Sequence, residues 1–157
     1  MSMEELAIGH KALLGSRLRK VHTFLSEYSF ANLYLFRKTH DYKVLAEGEG
    51  LFIVGRTYDG ARFVMPTAAP ENSDRKQLIR ISREYDFIFP VPEEWLDVWG
   101  IPPENRNSLE GDSDYVYLAE KISTYHGQKL HSKKNLLNQF LASYTPEARP
   151  LTADRKH

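Results

Sequence analysis

Hydrophobic and polar residues follow a helical spacing at the start of the chain. Residues 3–20 combine helix-forming residues with leucines on one side, so we expect one or two short helices there. Ser29 is placed to cap a second helix, because its hydroxyl can accept a hydrogen bond from a free amide of the first turn. Leu33 and Phe36 of that helix should face inward.

Residues 42–65 carry the pattern of β-strands instead. Three runs rich in β-forming residues, at 42–46, 51–57 and 61–65, are separated by the segments EGEG and YDG. Asp59 and Gly60 supply the positive φ angles that a tight turn between the last two runs requires. The pattern therefore predicts a three-stranded antiparallel meander.

A further helix and a short strand are expected in the middle of the chain. Ser73 or Asp74 begins a helix that runs to about residue 83, and Gln77 is placed to complete a capping box on Asp74. Residues 87–89 predict a buried strand that ends at the following PVP, because proline cannot donate to a sheet. A short helix then covers the core with Trp95, Leu96 and Trp99, before a polar surface loop at 100–114.

The last third of the chain predicts two helices. One runs over residues 117–125, and Gly127 follows where a left-handed cap is wanted. Ser132 caps the other, which runs to about residue 144. Its apolar face consists of Leu136, Leu137, Phe140, Leu141 and Tyr144. The polar residues left toward solvent or a partner are Lys133, Lys134 and Asn138.

Size and composition indicate one domain. At 157 residues, 41% of them hydrophobic, the chain can build one core, so residues 1–157 form one domain and 145–157 a linker or the start of a second half. The absence of cysteine excludes a disulfide framework and suits a reducing cytosol. The apolar runs are far shorter than the roughly 20 residues that cross a bilayer, and the acidic N-terminus is unlike a secretory signal. We expect a cytoplasmic protein without a transmembrane segment, which could still be peripheral to a membrane.

Charge is balanced in total but not along the chain. Lys plus Arg and Asp plus Glu number 21 each, which gives no general argument for a polyanionic partner. Residues 84–120 hold ten acids and one base, whereas residues 121–157 hold seven bases and two acids. A polar partner would therefore meet the basic end, where Lys129, Lys133 and Lys134 could engage the phosphates of tRNA or of a lipid head group. An ordinary solvated helix face is the alternative.

No catalytic or metal-binding motif stands out. His126 and His131 could exchange protons near neutral pH, but caps and surface hydrogen bonds explain them equally well. The six histidines show neither HxxxH nor HExxH spacing, and neither a Ser-His-Asp constellation nor a P-loop is legible. The sequence therefore leaves the catalytic residues unassigned and predicts no metal.

Three segments carry a resemblance to a known family: SEYSFANLYLF at 26–36, DYVY at 114–117 and YHGQKLHSKKNLLNQF at 125–140. They resemble the phosphatidylglycerol lysyltransferase C-terminal domain family and follow its order. Members of that family are tandem GNAT acyltransferase domains, and the best-known ones move an aminoacyl group from tRNA to a membrane lipid. The resemblance implies an α+β, GNAT-like fold with a mostly antiparallel sheet flanked by helices. It also implies that this chain is the first of two halves.

The resemblance also implies a substrate-binding site. In such proteins the GxKxHxKxN helix lies near the junction of the halves, which would place six residues beside a shared cleft: Lys129, His131, Lys133, Lys134, Asn135 and Asn138. The implied donor is an aminoacyl-tRNA and the implied acceptor a phospholipid head group. Chemistry would then reside mostly in the second GNAT-like half, with this chain as scaffold and docking half.

One departure from the family argues against a cofactor in this half. A GNAT domain that uses acetyl-CoA holds its pyrophosphate on free amides of a glycine-rich turn after the fourth strand. Here the junction reads MPTAAPENSD, which has no glycine and contains prolines that lack amide hydrogens. We therefore expect no acetyl-CoA binding here.

Two other functions stay open. The basic helix at 128–139 could belong to a non-catalytic module that binds RNA or another protein. The chain could also be a structural domain that forms a homodimer.

Overall fold

The computed structural model describes residues 1–113 and 116–149. These residues form two compact units, which divide between residues 114 and 115. The prediction that the chain is one GNAT-like half of a tandem pair stays a prediction. Of the predicted linker at 145–157, residues 150–157 lie outside the described residues, as do Asp114 and Tyr115 of the DYVY segment.

The first unit contains five strands and four α-helices among its described residues. Its strands are β1 (Ser2–Glu5), β2 (Lys43–Glu47), β3 (Gly50–Arg56), β4 (Arg62–Pro66) and β5 (Phe87–Ile88). Its α-helices are α1 (Lys11–Leu18), α2 (Phe30–Phe36), α3 (Arg75–Ser82) and α4 (Glu93–Val98). Single turns of 3₁₀-helix lie at Ile8–His10, Ser26–Tyr28, Pro70–Asn72, Pro103–Asn105 and Glu110–Asp112.

The five strands form one sheet in the order β1-β2-β3-β4-β5. Each neighbouring pair from β1 to β4 is antiparallel, and β5 is parallel to β4. The predicted meander is therefore confirmed as β2, β3 and β4, with Val44 opposite Ile53 and Val54 opposite Val64. The mostly antiparallel sheet and its helices confirm the α+β class and are consistent with a GNAT-like fold.

The central strand β3 is buried on both faces. Residues 51–55 are all buried, and successive side chains of a strand point to opposite faces. Gly55 allows a close approach there: a Cβ atom on it would lie 2.7 Å from the ring of Tyr42 and 3.0 Å from the carbonyl oxygen of His40. The core thus depends on a missing side chain as well as on the apolar ones.

The helices complete the core with one or two residues each. The fully buried residues of α1, α2 and α3 are Leu14, Leu18, Leu33, Leu78 and Ile81. Trp95 and Trp99 are buried as predicted, and the ring of Trp95 packs edge-on against Tyr28 at 5.7 Å between centroids. The hydroxyl of Tyr28 donates to the carbonyl oxygen of Pro90 at 3.1 Å, so this buried polar group is satisfied.

Helix α3 begins as predicted but is fixed differently. Asp74 caps it by accepting from the amides of Lys76 and Gln77 at 2.8 and 3.2 Å. The predicted capping box is wrong, because the Gln77 side chain reaches another element and donates to the carbonyl oxygen of Glu47 at 2.6 Å. Gln77 therefore ties α3 to the turn between β2 and β3.

Two further predictions for the first half are wrong. Residues 2–5 form an edge strand rather than part of a helix, because their backbone pairs with β2 while all four residues stay exposed. Phe36 is 37% exposed although it shares a side of α2 with buried Leu33, because it is the last residue of the helix.

Two details of the strands and turns also differ from the predictions. Gly60 has a φ of 90°, but Asp59 has no positive φ. Asp59 instead accepts a hydrogen bond from the Thr57 hydroxyl, which lowers the pKa of its carboxyl. The predicted buried strand at 87–89 is a two-residue strand whose Phe87 is 38% exposed, because β5 lies at the sheet edge and pairs only with β4.

The second unit contains α5 (Ala119–Thr124) and α6 (His131–Ser143), with a 3₁₀ turn at Gln128–Leu130. The left-handed cap of α5 falls on Tyr125, with φ 49°, and not on Gly127, whose φ of 104° belongs to the next turn. Helix α6 starts one residue before Ser132, so this serine is no cap. No helix in the described parts of the chain has both the length and the apolar character needed to cross a bilayer.

Replacing Gly55 by alanine should destabilise the fold by about 1–3 kcal/mol, because the new methyl group must displace the Tyr42 ring or the backbone at His40. Thermal unfolding of Gly55→Ala would measure this. Gly111→Ala is the control, since nothing lies within 4 Å of a Cβ atom there. Equal melting temperatures for both variants would contradict the close approach.

Stability should fall in alkaline solution through Tyr42, because burial raises the pKa of its phenol to about 12 from the ordinary 10.0. The neutral phenol is favoured in the folded state, so its contribution is complete below about pH 10 and is lost as the pH rises toward 12. Between about pH 9 and pH 11, the melting temperature of Tyr42→Phe should therefore fall by less than that of the wild type. Tyr144→Phe, at an exposed tyrosine, should follow the wild type; an unchanged slope for Tyr42→Phe would contradict the account.

Candidate functional site

The residues expected to bind substrate lie on α6 and the turn before it. Lys129 is in the Gln128–Leu130 turn, and the other five are on the helix: His131, Lys133, Lys134, Asn135 and Asn138. The turn needs Gly127, because its φ of 104° strains any residue with a side chain. The following residues are mostly good helix formers, so the helix continues to Ser143.

Helical geometry brings four of these residues onto one face. At about 100° per residue, positions i, i+3, i+4 and i+7 share a side of a helix. His131, Lys134, Asn135 and Asn138 have this spacing, and Nδ2 of Asn135 lies 3.4 Å from Nδ1 of His131. All four are exposed. We call these four residues the polar face of α6.

Lys133 lies on the opposite side of the helix. Leu136, Leu137 and Phe140 stand three, four and seven positions after it, so they share its side. The structure therefore divides the three lysines of the predicted set: Lys134 belongs to the polar face, Lys133 stands in the apolar stripe, and Lys129 lies in the turn before the helix. Leu136 and Phe140 are 59% and 46% exposed, so that stripe is open as well.

Within residues 116–149, no ion pair with a carboxylate neutralises the Lys134 ammonium group of the polar face. Among residues 116–149, the recorded ion pair joins Glu147 to Arg149, and none involves Lys129, Lys133 or Lys134. His131 has Asn135 beside it rather than an acid that could orient it as a base. This arrangement suits binding of an anion better than proton transfer.

Coenzyme A does not fit the connection after β4. The amides at the start of α3 that could hold a pyrophosphate already donate to the carboxylate of Asp74. A second anion there would meet a negative charge instead of free N–H groups. Pro66 and Pro70 of the connection supply no amide hydrogen. Coenzyme A therefore takes no part in the function proposed for this chain.

The family model described as Phosphatidylglycerol lysyltransferase, C-terminal, matches residues 18–157. The chain belongs to this family. The match covers α6 and four of the five strands, whereas β1 and most of α1 precede it. Neither a curated protein nor a solved structure matches the chain. Membership relates this lysyltransferase-family chain to transferases.

Sequence analysis missed a second basic region, at the N-terminal end of this family member. Residues 6–26 contain no acid and four bases: Lys11, Arg17, Arg19 and Lys20. An open groove of about 730 Å³ between α1 and α2 includes Lys11 and Arg19, and a cleft of about 410 Å³ on another side of α1 includes Arg17 and Lys20. A count of acids in short windows would have found this region.

The hydrogen bonds from the α3 amides to Asp74 should stabilise the fold. Asp74→Ala should lower the free energy of unfolding by about 1 kcal/mol, whereas Asp74→Asn, which keeps a capping oxygen, should change it by less than about half of that. Urea denaturation would compare the two. If Asp74→Ala were neutral, the amides would be free for another anion, and the argument against coenzyme A would fail.

Proposed function

We propose that this chain is the scaffold and docking half of a GNAT-like aminoacyltransferase, in which the polar face of α6 receives the polyanionic donor. The observation that carries the proposal is the placement of His131, Lys134, Asn135 and Asn138 on one exposed side of a helix. Membership of the lysyltransferase family supports it. An aminoacyl-tRNA is the proposed donor, and a phospholipid head group is the proposed acceptor.

Positioning is the contribution that such a half can make. In aminoacyl transfer, an amine or hydroxyl of the acceptor attacks the ester carbonyl, and the tRNA hydroxyl leaves. Lys134 can bind a phosphate as a point charge, while the amides of Asn135 and Asn138 can donate to phosphate or ribose oxygens. Because the polar face offers no acid–base pair, we assign the chemical step to a second GNAT-like half.

A non-catalytic binding module is the second candidate. The exposed apolar stripe of α6, with Leu136, Leu137 and Phe140, favours a protein partner in that case. The two candidates use opposite sides of one helix. Substitutions on the two sides therefore separate them.

The polar face should bind tRNA in a salt-dependent way. Lys134→Ala should weaken retention of tRNA and reduce the slope of log K against log salt concentration by roughly one, because one phosphate contact is lost. Filter binding or fluorescence anisotropy at several salt concentrations would measure the slope. Lys133→Ala is the matched control, since it removes the same charge from the other side of the same helix.

Two results would contradict the proposal. Equal loss with Lys133→Ala would show that only net charge matters, and loss of a protein partner but not of tRNA with Leu136→Ser would favour the second candidate. Transfer from charged tRNA by the 157-residue chain alone would contradict the division of labour between two halves.

A further inference from the structure

A cleft beside α1 gathers polar and cationic side chains without a carboxylate. Its volume is about 410 Å³, within the range of roughly 300–1,000 Å³ typical of small-ligand sites. The polar residues that line it are Ser16, Arg17, Lys20, Thr67 and Asn72. All belong to the first unit, so the cleft does not depend on α6 or on the function proposed for it.

Arg17 is held in this cleft by a buried hydroxyl. Its Nε–H donates to Oγ1 of Thr67 at 2.8 Å, and the Thr67 hydroxyl donates in turn to the carbonyl oxygen of Leu51. Thr67 is 1% exposed and is the buried polar side chain of the described core. The bond to the Leu51 carbonyl oxygen fixes the buried Thr67 hydroxyl, and this hydroxyl in turn holds the half-buried guanidinium of Arg17.

The outer nitrogens of Arg17 remain available. A guanidinium has five N–H donors, and the bond to Thr67 uses one. In the described parts of the chain, no other hydrogen bond or ion pair involves the side chain of Arg17. The paired terminal nitrogens of an arginine match two oxygens of a phosphate or carboxylate.

The surroundings favour an anion with an uncharged body. Lys20 is exposed and adds a second positive charge, while Val21 and Ala69 give the cleft an apolar wall. A smaller neighbouring cleft of about 140 Å³ shares Arg17 and includes the acids Glu49 and Asp74. Asp74 is already engaged by two amides of α3.

We infer that this cleft binds the phosphate group of an organic phosphate ester, either free or in a lipid head group. Arg17 binds two phosphate oxygens, Lys20 contributes charge, and the side chains of Ser16 and Asn72 donate to the remaining oxygens or to the ester's hydroxyls. The carbon skeleton lies against Val21 and Ala69. Arg17 and Ser16 precede the residues that match the lysyltransferase family, whereas the other residues of the cleft that the proposal uses lie within the match.

Isothermal titration of the chain with glycerol 3-phosphate tests the cleft directly. We expect saturable binding, weakened at least about tenfold by Arg17→Gln and severalfold by Lys20→Gln. Arg19→Gln is the matched control. It removes the same charge from the same region, but Arg19 lines the groove between α1 and α2 and not this cleft. Lys20 is exposed, so Lys20→Gln keeps the test valid even if Arg17→Gln unfolds the protein.

A second arm of the experiment, with vesicles of phosphatidylglycerol, distinguishes a free phosphate ester from a lipid head group. Binding of the soluble ester without Arg17-dependent retention on vesicles identifies a free ligand, whereas Arg17-dependent retention on vesicles identifies a lipid head group. Absence of both overturns the inference. An equal loss with Arg19→Gln also overturns it, because it would reduce the effect to net charge.

Discussion

The hydroxyl of Thr67 links the central sheet to α1, and the arrangement around α1 depends on it. Thr67 follows β4 directly and is almost fully buried, so it must satisfy its hydrogen bonds inside the protein. It does so with a carbonyl of β3 on one side and with Arg17 on the other. One buried polar group therefore fixes a helix to a sheet and holds a cation at the surface of the core.

The two basic regions follow from different physical causes. Tertiary contacts fix Arg17, because its partner is 50 residues away along the chain. The polar face of α6 follows from helical periodicity alone, and the same periodicity separates Lys134 from Lys133. Each region belongs to its own compact unit, and each presents positive charge that no carboxylate neutralises among the residues described. We therefore propose anionic ligands for both, a small one for the first unit and a polymeric one for the second.

Local sequence patterns predicted much of the fold but did not predict its long-range contacts. The meander, α3 with its Asp74 cap, and the buried Trp95 and Trp99 all follow from spacing and cap residues. Strand β1 was missed because an exposed edge strand has no apolar alternation to reveal it. The role of Thr67 also escaped prediction, since its partners are distant in sequence. The six residues expected to bind substrate lie in the expected segment, five on α6 and Lys129 in the turn before it, but only geometry shows that Lys133 stands apart from the other four on the helix.

The central claim is that α6 presents its polar face, and not its whole surface, to tRNA. Mass spectrometry of lysine acetylation with and without tRNA tests this most directly, because it reports each ammonium group in the unaltered protein. The account predicts that tRNA protects Lys134 while Lys133 reacts at its unbound rate. Equal protection of both lysines, or protection of neither, would contradict it.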